Sequence, residues 1–463
     1  MTDQTTPAGP LDTAHWQVLL DESAARHGVP GASLGILHGE TVTEAVTGFA
    51  NLDARIEATT DTLFQIGSIT KVWTATVAMG LVDEGVLSLD EPVVKVLPEL
   101  RLIDDDLTRS VTLRHLLSHT SGIDGDFFVD TGRGDDCLEK YTERLAEVGV
   151  NHPLGATMSY CNSGFNLIGR IIERLTGERW DDAMRKRLYE PLGLTHTVTL
   201  PEDALRFRTA IGHTGRGDDR TVVPQWGIVR SAGPAGLICS TPREVLTFAR
   251  LHLNDGVTAD GTRVLSTAGA RLMREKQIDL PNGHTLGDSW GLGWILMGWD
   301  GQRLYGHDGA TLGQSAFLRV LPHAGLAVCL LTNGGDSKAL YTDLYGEIVE
   351  ALAGVRVPTP LEPSGGPLPA DAEDHLGVYE REAVRVEVLG HDGALTMRTT
   401  ITNGITTGRQ ETSAIESELR PVEGNVYATR FPGLRDWTPV TFYRLADGSP
   451  YLHSGVRATP KVS

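Results

Sequence analysis

Between Arg356 and Pro369 the chain carries Pro358, Pro360, Pro363, Pro367 and Pro369, together with Gly365-Gly366. Such a stretch can neither continue a helix nor sit in the middle of a sheet. It reads as a stiff, exposed linker that splits the sequence into two regions of different periodicity. Beyond it apolar and polar residues alternate: Val384, Val386 and Val388 with Arg385 and Glu387, then Leu395 and Met397 with Thr396 and Arg398. Val426-Tyr427-Ala428, Thr441-Phe442-Tyr443 and Tyr451-Leu452-His453 read as further short strands. Helical signals are few, so residues 370–463 are expected to form a small antiparallel barrel or sandwich. At 463 residues the chain is too long for one ordinary core, which agrees with a separate, larger domain over residues 1–355.

The larger region mixes periods. Asp12 to Arg26 reads as an opening helix, with Asp12 as N-cap and Gly28 as stop. Val29 to Ala50 reads as a hairpin turning at His38-Gly39-Glu40. The run Val72 to Val82 is apolar nearly all round, as in a buried helix. Met158 to Arg174 carries a second helical pattern. Ser231-Ala232-Gly233-Pro234-Ala235-Gly236 reads as a glycine-rich loop before a helix from Thr241. Short strands run from Trp290 to Leu331, one of them holding Leu304 to His307, and Leu340 to Leu352 closes as a helix. Trp226, Trp290 and Trp294 are read as core residues.

Three stretches carry chemistry. Ser68 and Lys71 lie three residues apart where the buried helix begins, which places them one turn apart on one face. A neutral lysine there can take the serine proton and leave a nucleophilic alkoxide, and a helix N-terminus favours the negative charge that develops. Tyr160-Cys161-Asn162 opens the second helical pattern; alone, it would be a core aromatic beside a capping residue. In a site, Tyr160 would shuttle a proton with Lys71 and the leaving group, and Asn162 would hold Lys71 and donate to the substrate amide. Gly306-His307-Asp308-Gly309-Ala310 would alone be an Asp-Gly turn with an incidental histidine. As a strand beside Ser68, it turns His307 to the substrate and pairs the Ala310 N–H with that of Ser68 as an oxyanion hole.

Other signals lead elsewhere. The formal G-x-S-x-G at Gly31-Ala32-Ser33-Leu34-Gly35 runs on into more strand, not into the sharp turn a nucleophile elbow needs. His115 and His119 have a zinc-compatible i, i+4 spacing, but no acidic base lies between them and no third ligand is evident, so they read as structural. Cys137, Cys161, Cys239 and Cys329 are far apart and read as free thiols. A net charge of -19 disfavours nucleic acid and anionic membrane as partners. No apolar run reads as a transmembrane helix, and Met1 to Pro7 lacks the features of a signal peptide, so a cytoplasmic location is expected.

Ser68-Ile69-Thr70-Lys71, Tyr160-Cys161-Asn162 and His307-Asp308-Gly309, in that order, resemble the three active-site motifs of the serine β-lactamase and penicillin-binding-protein superfamily, on its class C side. Leu113 to Gly122 resembles that family as well, and the likeness spans about residues 15 to 355. The resemblance implies an α+β domain with an antiparallel sheet flanked by helices and an all-helical subdomain, with Gly236 and Gly309 lining substrate and neither metal nor cofactor. His307 stands where class C β-lactamases and most D,D-peptidases carry lysine. Histidine there is similar to esterases, D-amino-acid-specific amidases and acyltransferases of the superfamily. Tyr451 to Pro460, following the linker, resembles the penicillin-binding-protein-type thioesterases, stand-alone cyclases that release nonribosomal peptides. That likeness implies a lipocalin-like barrel and an Arg457 that reaches the active site to hold the peptide's C-terminal carboxylate. It also implies a peptidyl carrier protein, bearing a phosphopantetheinyl peptide thioester, as partner. The expected activity is release of that peptide as a macrolactam through an acyl-enzyme on Ser68. The alternatives are the same chemistry with water as acceptor (an esterase or D-aminopeptidase), a non-enzymatic binding protein on this fold and, ranked lower, a β-lactamase.

Overall fold

The structure is a computed structural model that describes residues 13–215, 217–401, 414–432 and 435–463. The expected cap Asp12 lies outside the described residues. The chain divides into two compact units, each assembled from three stretches: up to Glu84, Glu178–Arg271 and Gly298–Pro358 in the first, Gly85–Gly177, Leu272–Met297 and Thr359–Ser463 in the second. Residues 354–369, the proline-rich stretch, carry no regular secondary structure.

The first unit is built on antiparallel strands. Gly31–His38 lies between Thr41–Asn51 and Leu326–Thr332, and Gln314–Leu321 then Gln302–Thr311 follow outward. The register pairs Ser33 with Leu331 and Val46, so this serine sits mid-strand and buried, as the run-on strand pattern implied. Strand Leu326–Thr332 is buried at every position, which is the pattern of a strand covered on both faces. Helices Thr13–Arg26 and Ser337–Ala353 pack together, and helix Pro242–Leu253 packs on the central strands. Gly35 admits that last helix: a Cβ there would sit 2.8 Å from Leu246 Cδ1 and 2.9 Å from Pro242 Cβ.

Helix Thr70–Asp83 is buried along almost its whole length. Trp73 stacks on Phe248 with ring centroids 4.5 Å apart, and Thr76 Oγ1 lies 3.1 Å from His252 Nε2. A helix wrapped on all sides has no freedom to rotate, so the residue at its head is held still.

The second unit holds helices Asp105–Ser110, Leu113–Leu117, Cys137–Arg144 and Asn162–Thr176, three short strands around Trp290, and an eight-stranded antiparallel meander. The meander runs from Gly377–Arg381 to Arg457–Pro460 and curls until its last strand meets its first. Tyr379 bridges to Lys461, and Val462 N–H donates to Val378 O at 2.7 Å. This is a nearly closed barrel whose interior is filled by Tyr379, Val386, Val388, Leu395, Met397, Tyr427 and Phe442 among others. Thus the alternation of Val386-Val388 and Leu395-Met397 is the inward face of a barrel.

Three local expectations need correction. The second helix begins at Asn162 rather than Met158, because Cys161 is extended (φ −128°, ψ 102°) and caps the helix. The glycine-rich loop is two helical turns, a 3₁₀ turn Arg230–Ala232 and a short helix Gly233–Gly236 with Pro234 in its first turn. Trp290 and Trp294 are fully buried, but Trp226 is only half-buried and is not core. No helix among the described residues is long and apolar enough to cross a membrane.

Candidate active site

Ser68 sits on the 3₁₀ turn Gly67–Ile69, directly ahead of helix Thr70–Asp83. Lys71, one turn along, is 0% exposed. Its Nζ donates to Ser68 Oγ at 3.0 Å and to the carbonyl of Ala235 at 2.7 Å. The short helix Gly233–Gly236 therefore has a polar duty that its composition does not announce. It is fixed to the serine helix at one more point, where Thr74 Oγ1 donates to Pro234 O at 2.9 Å, and just beyond it Ile238 N–H donates to Thr70 Oγ1 at 3.2 Å. Gly236 lies against the serine turn, where an added Cβ would stand 3.8 Å from the Gly67 carbonyl carbon and 2.8 Å from Ile228 Cδ1.

Strand Gln302–Thr311 brings the histidine motif to the same turn. A Cβ on Gly309 would lie 1.9 Å from Ile66 O and 3.1 Å from Ser68 N; one on Gly67 (φ +52°) would lie 2.6 Å from Ala310 N. Only bare backbone allows this approach, which brings the backbone around Gly309 and Ala310 against the serine turn. The ladder pairing Gly309 with Ala316 and Ala310 with Ser315 holds the strand in register.

His307 is 1% exposed, and its Nδ1–H donates to Asp308 O at 2.6 Å. Burial first, then the charge of Lys71, lowers its pKa from 6.5 to about 3, only partly opposed by that carbonyl. His307 is therefore a neutral ring near pH 7, a hydrogen-bonding group rather than an acid–base catalyst tuned to that pH. The sign of the linkage follows. The folded pKa lies below the unfolded one, so the stability owed to neutral His307 is complete above pH 6.5 and is lost as pH falls towards 3. A His307→Gln variant is expected to lose less stability than the parent on acidification, by about 1 kcal/mol per pH unit within that window. Urea unfolding at matched pH values checks this.

Asp308, the next residue, pairs with Arg319 on the adjacent strand through both guanidinium Nη atoms. Burial opposes the Arg319 charge, but Asp308 outweighs it and the group stays protonated. Its guanidinium carbon also lies 5.1 Å from the centre of the Tyr341 ring. This pair ties the histidine strand to its neighbour, and no sequence spacing pointed to it.

The remaining residues belong to the second unit. Tyr160 is nearly buried, with His119 stacked on it at 4.3 Å and the edge of Trp290 at 5.7 Å. His119 Nδ1 accepts the Cys161 N–H at 2.9 Å, and His115 Nδ1 accepts the Thr112 N–H at 3.3 Å in a capping box, so both histidines have structural work. Cys161 caps its helix by accepting the Gly164 N–H at 3.1 Å, and burial pushes its thiol up to about 12, which leaves no thiolate for nucleophilic work. Asn162 opens the helix and is 8% exposed. Arg457 lies with its guanidinium carbon 5.0 Å from the centre of the Tyr160 ring. Its Nε and Nη2 both donate to the carboxylate of Asp126. Ser68, Lys71, Gly236, His307, Gly309 and Ala310 thus gather in the first unit, and Tyr160, Asn162 and Arg457 in the second.

Residues 16–353 match the sequence profile of the family described as Beta-lactamase. The chain is 48% identical to penicillin-binding protein 4 of Amycolatopsis lactamdurans over 376 residues, 81% of this chain and 99% of that protein. Among solved structures, SurE in complex with D-Leu superposes with a TM-score of 0.76 at 28% identity, covering 97% of this chain and 99% of that one. The D-amino acid amidase of Ochrobactrum anthropi SV3, complexed with D-phenylalanine, gives a TM-score of 0.63 at 27% identity over 74% of this chain and 99% of its own.

Proposed function

Because the chain belongs to the serine β-lactamase and penicillin-binding-protein family, we propose that it is a serine acyltransferase that releases and macrocyclises a nonribosomal peptide from a carrier-protein thioester. The observation that carries the serine chemistry is the buried Lys71 Nζ, 3.0 Å from Ser68 Oγ and oriented by Ala235 O. The step needs Lys71 in its uncharged amine form: Nζ then takes the hydroxyl proton, and Ser68 Oγ bonds to the thioester carbonyl carbon. The oxyanion rests on the N–H groups of Ser68 and Ala310. The C–S bond then breaks, and the phosphopantetheinyl thiol leaves with a proton. The peptide's own α-amine attacks the acyl-enzyme, the C–O bond to Ser68 breaks, and a proton returns to Oγ. In this reading Tyr160 and Lys71 are the bases for that step, and Asn162 is the residue that holds Lys71. Neutral His307 accepts a hydrogen bond from the incoming amine rather than its proton.

Support for the peptidyl substrate comes from the full-length likeness to SurE, barrel included, and from the D-amino acids in the SurE and amidase complexes. A D-configured residue at the acylated end is the corresponding substrate preference. The 48% identity to a penicillin-binding protein favours a second reading, in which water takes the place of the amine and the product is a linear acid. Product mass separates the two. With a peptidyl thioester mimic ending in a D-residue, the cyclase gives a product lighter than the linear acid by one water. Linear acid alone would support the hydrolase reading.

A further inference from the structure

The turn that closes the barrel is strained where it meets Tyr160. Strands Pro450–Ser454 and Arg457–Pro460 are joined by Gly455 and Val456, with φ of +55° and +60°. This is the type I′ pattern, which needs positive φ at both positions; glycine adopts it freely and a β-branched valine does not. Local contacts must hold Val456 there. Its carbonyl accepts the Tyr160 N–H at 2.9 Å, and two residues on the Ala458 N–H donates to Ser159 Oγ at 3.2 Å. Arg457 lies between these two anchors, with its cation over the Tyr160 ring. Asp126 grips the guanidinium by two atoms, and Arg381 holds Asp126 in turn at 3.0 Å and reaches Asp124 at 3.6 Å.

We propose that Arg457 is a positioning residue for Tyr160, fixed against the phenol ring by Asp126, so that the last hairpin of the barrel is part of the catalytic apparatus. The inference rests on the proton-transfer role given to Tyr160 above. A cation on the ring face favours phenolate over phenol, which is what a tyrosine needs to accept a proton near neutral pH. His119, Cys161, Asp126 and Asp124, in the same unit, do not supply that charge. His119 Nδ1 is an acceptor from Cys161 N–H, burial keeps the Cys161 thiol protonated, and Asp126 and Asp124 are engaged by Arg381. Burial pushes the Asp126 carboxyl up, but Arg457 and Arg381 outweigh it and hold it below the usual range, so the clamp keeps its charge. A substrate carboxylate would have to displace Asp126 to reach the same two nitrogens.

The test compares Arg457→Gln, Arg457→Lys and Tyr160→Phe with the parent, using a peptidyl thioester mimic. Arg457→Gln is expected to lower kcat by about 10- to 100-fold at unchanged KM. It should also move the acid limb of kcat/KM to higher pH, because loss of the cation raises the phenol pKa. Arg457→Lys should recover most of the rate, and a melting curve for each variant reports folding. A raised KM at unchanged kcat would assign Arg457 to substrate binding and overturn the proposal. A lower melting temperature with an unmoved acid limb would make it structural and overturn it equally. If Tyr160→Phe alone keeps the parental rate, the role given to Tyr160 fails independently of Arg457.

Discussion

Replacing Ser68 with alanine is expected to abolish acyl transfer, with kcat falling by more than about 10⁴-fold. The fold should survive, because Ser68 is half-exposed on its turn and the anchors of the serine helix to residues 234–238 run through Lys71, Thr74 and Thr70. Lys71→Ala is expected to cost nearly as much, since the two side chains act as one unit. The carbonyl of Ala235 would then lose its donor as well. Steady-state turnover of a peptidyl thioester mimic, with far-UV circular dichroism as the folding control, measures both. A Ser68→Ala enzyme cyclising at the parental rate would remove the nucleophile from the account.

The second large effect is expected from Gly309→Ala. The new methyl would meet Ile66 O at 1.9 Å, far inside van der Waals contact, and the obstacle is backbone that cannot rotate away. Strand Gln302–Thr311 would have to retreat from the serine turn, taking the Ala310 N–H with it. Losing one oxyanion donor costs about 10²- to 10³-fold in kcat. The acylation rate should therefore fall by that order, with a lower melting temperature. Gly346→Ala is the control. It lies inside helix Ser337–Ala353 with nothing within 4 Å of its added Cβ, so activity should hold.

Sequence reasoning found the parts of the site that side-chain spacing encodes. Ser68 and Lys71 are one helical turn apart, and the pattern around His307 is that of a strand; both follow from local periodicity. Alternation at Val386-Val388 and Leu395-Met397 likewise identified the barrel's inward face. Three of its strands went unread: Gly377–Arg381, Ala414–Glu423 and Arg457–Pro460. Ala414–Glu423 is rich in charge, Gly377–Arg381 buries little besides Tyr379, and Arg457–Pro460 is four residues long.

Backbone partners were invisible for a different reason. The Ala235 carbonyl that orients Lys71 and the Val456 carbonyl that receives Tyr160 N–H have no residue-type signature. The ion pairs Asp308–Arg319 and Asp126–Arg457 join residues 11 and 331 positions apart, and no spacing rule reaches across either interval. Gly67 and Gly309 are intermediate cases. Their motifs were recognised, but that each exists to let bare backbone pass required the distances.

The central claim is that a peptidyl group passes through a covalent ester on Ser68 before its own amine displaces it. Intact-protein mass spectrometry of the parent enzyme, quenched early with a peptidyl thioester mimic that ends in a D-residue, tests this most directly. The account predicts an adduct equal to the peptidyl acyl group, mapped to the peptide containing Ser68, that decays as the macrolactam appears. Macrolactam formed with no adduct at any time, or an adduct mapped to a residue other than Ser68, would contradict it.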